Sequence, residues 1–143
     1  MLSPARVALT LGGVVAVCVV AWTGWPAAGP PLFKAADVHR LRVVCRDPDG
    51  AASQTFATTD PTLIAAVAAV IAAARPDERC ACGALGSIVF DRAGGLDALT
   101  VYPAHGMTDV QFEWNGRRYA ADRGPLLRAL EPLGVAPVRL VGS

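Results

Sequence analysis

The sequence predicts an α+β domain, a mainly antiparallel sheet with two helices packed on one face, preceded by an N-terminal transmembrane helix. Three observations carry that expectation. Val7–Trp25 runs without a formal charge directly behind Arg6. Short stretches of alternating apolar and polar residues recur from Val38 onward, separated by Asp-Pro-Asp-Gly, Gly-Gly and Asn-Gly turns. Two further segments, opening near Pro61 and Asp122, space their apolar residues at helical intervals.

A helix rises ~1.5 Å per residue, so Val7–Trp25 could nearly cross a ~30 Å hydrocarbon core. Trp22 and Trp25 suit the headgroup layer at its far end, and Arg6 flanks the near end. Pro26, Pro30 and Pro31 then stop the helix. The expected division is a signal anchor over residues 1–25, a linker over 26–37 and an exported domain over 38–143. The short, positively charged head places the N-terminus in the cytoplasm and the C-terminal domain outside it. A cleaved signal peptide is the alternative, with Val19-Val20-Ala21 as a small-residue exit. Lipoprotein processing fails, because Val17 stands where a small residue should precede Cys18.

Charge excludes one class of partner. Of the 13 Lys and Arg only Arg6 precedes Pro26, whereas the 12 Asp and Glu all follow it, so the remainder is formally neutral. Without a basic stripe, nucleic-acid binding has no electrostatic footing. Membrane lipid and a membrane or envelope protein are the expected partners.

Within the domain, Val38–Arg46 alternates, with Leu41, Val43 and Cys45 on one face and Arg40, Arg42 and Arg46 on the other. Asp47-Pro48-Asp49-Gly50 supplies a turn, and Ser53–Ala57 returns beside the first strand. Asp60-Pro61 reads as an N-cap followed by a proline at the first helical position. Leu63, Val67 and Val70, flanked by Ile64 and Ile71, form that helix's apolar stripe until Arg75-Pro76 ends it. Asp77–Ala84 is expected to be a loop.

Ser87–Asp91 and the residues around Leu99 and Val101 then form strands about Gly94-Gly95. Val110–Trp114 and Arg117–Ala121 flank Asn115-Gly116, the composition of a type I′ hairpin. That turn sets Trp114 opposite Arg117, Glu113 opposite Arg118 and Phe112 opposite Tyr119. It puts an aromatic pair on the core side and an ion pair on the solvent side. Asp122 opens a short helix with Leu126, Leu127 and Leu130 on its apolar face. Val138–Val141 follows as a final edge strand or a packed tail.

No catalytic signature emerges, and the domain is expected to be non-enzymatic. The chemistry-bearing residues are Cys45, Cys80, Cys82 and His105, whose thiolates and imidazole suit copper or zinc. Cys45 can instead form a disulfide with Cys80 or Cys82, or remain a small buried residue. His105 sits in a Pro-Ala-His-Gly turn without a nearby nucleophile, and His39 reads as a surface residue. Arg6, Trp22 and Trp25 are the expected membrane-interface residues.

The alternating Leu41–Cys45 strand, Thr59-Asp60-Pro61 with Ile64, Cys80-x-Cys82 and His105 together resemble small uncharacterised bacterial domains. Those are α+β units, membrane-anchored or lipoprotein-like. The likeness covers about 65 residues. It implies an accessory or binding role and lends no enzyme activity. The functional expectation is a membrane-anchored extracytoplasmic structural or protein-interaction module. Its rival is a copper- or zinc-binding or thiol-redox module built on the Cys80/Cys82 loop.

Overall fold

A computed structural model describes residues 34–47, 53–78, 82–103 and 108–136. After a 3-10 turn at Ala35–Asp37 the chain forms β1 (Val38–Cys45), β2 (Gln54–Thr58), α1 (Pro61–Ala72) and β3 (Arg75–Pro76). It continues with β4 (Gly86–Arg92), β5 (Gly95–Tyr102), β6 (Asp109–Trp114), β7 (Arg117–Asp122) and α2 (Arg123–Leu130), closing on a 3-10 turn at Glu131–Leu133. Among the described residues the strands form one seven-stranded sheet in the order β2-β1-β4-β5-β6-β7-β3. Every pairing is antiparallel.

The inner face follows from the period of two along each strand. Leu41, Val43, Cys45, Ile88, Phe90, Leu99, Val101, Val110, Phe112 and Tyr119 all point into one core. Both helices lie over this face: α1 inserts Ile64, Val67, Ala68 and Ile71, and α2 inserts Leu126 and Leu130. The centre of the α1 stripe is therefore displaced by one residue from the sequence expectation, leaving Leu63 and Val70 only half-buried. Asp60 Oδ1 accepts from the Thr62 amide at 2.9 Å, and Pro61 occupies the first turn, so the N-terminus of α1 is capped as its sequence requires.

Two turns show local chemistry dictating backbone shape. Asn115 and Gly116 both take positive φ, 49° and 73°, and the hairpin register places Phe112 opposite Tyr119 and Glu113 opposite Arg118. The two rings stack with centroids 5.5 Å apart. Gly86 pairs with Cys45 so tightly that a Cβ there would stand 2.0 Å from the Val44 carbonyl oxygen. Only glycine allows β1 and β4 to meet at that point.

The membrane-spanning part of the expected fold is corrected. Among the described residues no helix is long and apolar enough to cross a bilayer. The longer helix, α1, has 12 residues; at ~1.5 Å per residue that falls well short of a ~30 Å core. Val7–Trp25, with Arg6, Trp22 and Trp25, lies outside the described residues, as does Val138–Val141. The single-pass topology, the signal-anchor assignment and the lipid and envelope partners that depended on it are not carried further.

Candidate functional site

Of the four residues expected to carry chemistry, the described residues include Cys45 and Cys82. Cys45 is the last residue of β1 and is 1% exposed, pointing into the core beside Val43 and Ile88. Cys82 is half-buried in the segment leading to β4, whereas Cys80 and His105 lie outside the described residues. No disulfide joins the cysteines of the described residues, and no group of three or more His, Cys, Asp or Glu among them is placed to hold a metal ion. For Cys45 the strand period accounts for the correction: its position turns the side chain inward, where it is buried. Among the described residues the copper-, zinc- or thiol-redox module and the expected disulfide are overturned, while the Cys80 and His105 positions lie outside them. His39 is exposed near the start of β1.

Polar structure gathers instead at the two edges of the sheet. At the β3 edge, the register sets Asp109 of β6 directly opposite Asp122 of β7. Like charges so placed repel, and Arg75 of β3 answers both, bonding Asp109 Oδ2 and reaching Asp122 Oδ1 at 3.4 Å. Hydrogen bonding to Asp109 is the main cause that raises the Arg75 pKa above its ordinary value. Pro76, opposite Tyr119, has no amide to offer a further strand. The Asp77 amide is already spent on the Arg118 carbonyl at 3.1 Å. Beneath these, Gln111 Nε2 donates to Asp77 Oδ2 at 2.6 Å.

Arg118 completes that end. Its side chain is 5% exposed, its Nε donates to Glu113 Oε2 at 3.1 Å, and its guanidinium carbon stands 3.2 Å over the centroid of the Tyr102 ring. The pair expected on the solvent side is therefore largely enclosed, with the cation held by a carboxylate and an aromatic face. Pairing across Thr100, Glu113 and Arg118 through β5, β6 and β7 brings these side chains together, and turn chemistry alone does not reveal it.

The β2 edge lacks every one of these devices. β2 pairs only with β1, from Leu41↔Thr58 to Cys45↔Gln54, and no described strand lies on its outer side. Its residues, Gln-Thr-Phe-Ala-Thr, include no charge and no proline, and all but Phe56 and Thr58 are exposed. On one face Phe56 packs partly into the core, beside the turn that carries the half-buried Leu133. At the Thr58 end of the strand, Arg40, Ala57, Thr58 and Thr59 line a shallow, solvent-open cleft.

One strand further in, Arg42 holds Asp91 with two hydrogen bonds, 2.9 Å from Nε to Oδ2 and 2.7 Å from Nη2 to Oδ1. That hydrogen bonding is the largest influence on Asp91 and holds its carboxyl below the usual range, while burial acts in the opposite direction.

No family model, curated protein or solved structure matches the chain. The resemblance to membrane-anchored or lipoprotein-like bacterial domains is thereby corrected. No family model supports it, and no described helix can span a membrane. Its pieces, a capped helix start and an alternating strand, are demanded by this fold's own geometry and carry no family identity.

Proposed function

We propose that this domain is a strand-addition module, which takes up an extended polypeptide segment along the outer edge of β2. One observation carries the reading: of the two sheet edges, only β2 is uncharged, free of proline and open on its outer side among the described residues. Alternate residues of an edge strand turn their amide and carbonyl groups outward. An incoming extended chain satisfies them by main-chain hydrogen bonds and is aligned by side chains at every second position. The shallow, open cleft beside β2 suits this better than small-molecule turnover, for which an enclosed pocket with convergent polar groups is expected.

The test uses the full chain and a synthetic extended peptide alternating valine with glutamine, alongside the same peptide N-methylated at alternate amides. Hydrogen exchange is expected to slow at residues 54–58 in the presence of the first peptide and to be unaffected by the second, which keeps the side chains but loses the donors. Equal protection by both peptides, or protection confined to other strands, would overturn the proposal.

A further inference from the structure

We infer that the added strand is acidic and amphipathic, presenting a carboxylate to Arg40 on one face and apolar side chains to Phe56 and Leu133 on the other. This inference rests on the strand-addition reading and deepens it.

At this edge Arg40 lacks a close carboxylate partner among the described residues. Arg40 and Arg42 lie on the outer face of β1, and Asp91, opposite Arg40 in the β1–β4 register, feels the charge of both. Arg42 takes both oxygens of Asp91, leaving the exposed Arg40 without a hydrogen bond or ion pair among the described residues. Asp60, also near this end of β2, uses its side chain to cap α1.

Size lets the remaining cation act across the edge. The register puts Ala57 opposite Arg42, and Arg40, Ala57 and Thr59 line the same cleft. Neighbouring strands lie ~4.8 Å apart. A guanidinium on its flexible stem can therefore pass over an alanine or threonine to meet an aspartate or glutamate on a strand beyond β2. A lysine or arginine at that position of the incoming strand would face Arg40 and be repelled.

The opposite face has different requirements. Phe56 is partly buried against the core, and Leu133 lies on the turn that packs beside β2. An apolar side chain added there extends the core outward. The alternation of the strand therefore calls for acidic residues at one set of positions and apolar residues at the other. A second copy of this chain fits less well, because Gln54–Thr58 paired with itself brings no carboxylate to Arg40.

Three fluorescent peptides with valine on one face and glutamate, glutamine or lysine on the other separate the possibilities. Each is titrated against the full chain and its Arg40→Glu variant, with exchange at residues 54–58 measured in parallel. Arg40→Glu sets a second carboxylate opposite Asp91, so its unfolding midpoint is expected to fall slightly, and the neutral Arg40→Gln variant, expected to lose the preference for the glutamate peptide, is titrated beside it as the control for folding. The glutamate peptide is expected to bind about fivefold tighter than the glutamine peptide, as for a single exposed ion pair. Its advantage should shrink with added salt, and Arg40→Glu should make the lysine peptide the tightest of the three.

If all three peptides protect residues 54–58 equally and Arg40→Glu changes nothing, the acidic specificity fails while strand addition stands. If none protects those residues, strand addition itself fails. A concentration-dependent dimer protected at 54–58 that excludes the peptides would assign the edge to a second copy and overturn the acidic partner.

Discussion

At one edge of the sheet, pairing ends at Pro76, at the Arg75–Asp109–Asp122 charge cluster and at an Asp77 amide already bonded to Arg118. At the other, the sheet ends at Gln54–Thr58, with side chains that neither repel nor obstruct a neighbour. The difference separates two uses of polar residues. Near β3 they satisfy one another and close the structure, whereas near β2 the cation of Arg40 is left facing outward. A neutral, proline-free edge invites pairing, which natural sheets ordinarily suppress with charge, proline or a bulge. Among the described residues such devices stand at only one edge, and the proposed partner is assigned to the other.

Gly86→Ala would break that comparison most severely. The new methyl would meet the Val44 carbonyl at 2.0 Å, and backbone cannot rotate aside as a side chain can. A loss of about 3 kcal/mol in stability is expected by urea unfolding. Because among the described residues β2 is attached to the sheet only through β1, amides of β1 and β2 should exchange first while those of β6 and β7 remain protected. An unchanged unfolding midpoint would show that β1 and β4 are not held as closely as described.

Arg118→Met probes the closed end at smaller cost. It retains much of the side-chain volume but strips Glu113 of its partner and Tyr102 of the cation above its ring. About 2 kcal/mol should be lost, with exchange accelerating in β6 and β7 and peptide uptake at β2 unchanged. Equal acceleration at both edges would mean that the two ends are not independent.

The smallest effect concerns acid. Asp91 is held below its ordinary range chiefly by the Arg42 hydrogen bonds. Its contribution to stability is therefore present above the unfolded pKa, about 3.9, and is lost as pH falls through the lower folded value. Asp91→Asn should flatten the acid side of the stability profile below about pH 4, measured by urea midpoints in both proteins. Solvent screening keeps this effect modest, since the two side chains are 31% and 18% exposed. Identical slopes would remove the Arg42–Asp91 pair from the account of stability.

Much of the domain's local structure is legible because its causes are local. Asp60-Pro61 announces a helix start, Asn115-Gly116 announces a hairpin together with its register, and the alternation of Leu41, Val43 and Cys45 announces an inward face. The two-residue strand β3 is not legible, because Arg75-Pro76 has no pattern of its own and exists as a strand only through β7. The enclosure of Arg118 is hidden for a similar reason, since Tyr102 comes to it from another hairpin. The cysteines mislead because spacing along the chain says nothing about inward or outward direction until the strand is placed; Cys45 is then committed to the core.

For the candidate site, the sequence shows that Ser53–Thr59 carries no charge and that Arg40 and Arg42 alternate with apolar residues. It does not show that β2 is an edge, that Asp91 is consumed by Arg42, or that Arg40 remains beside the open cleft. Capping, turn conformation and strand period arise among residues a few positions apart, so the sequence alone determines them. Edge position and charge balance depend on pairing between segments as distant as Arg42 and Asp91, 49 residues apart, and only the tertiary structure decides those.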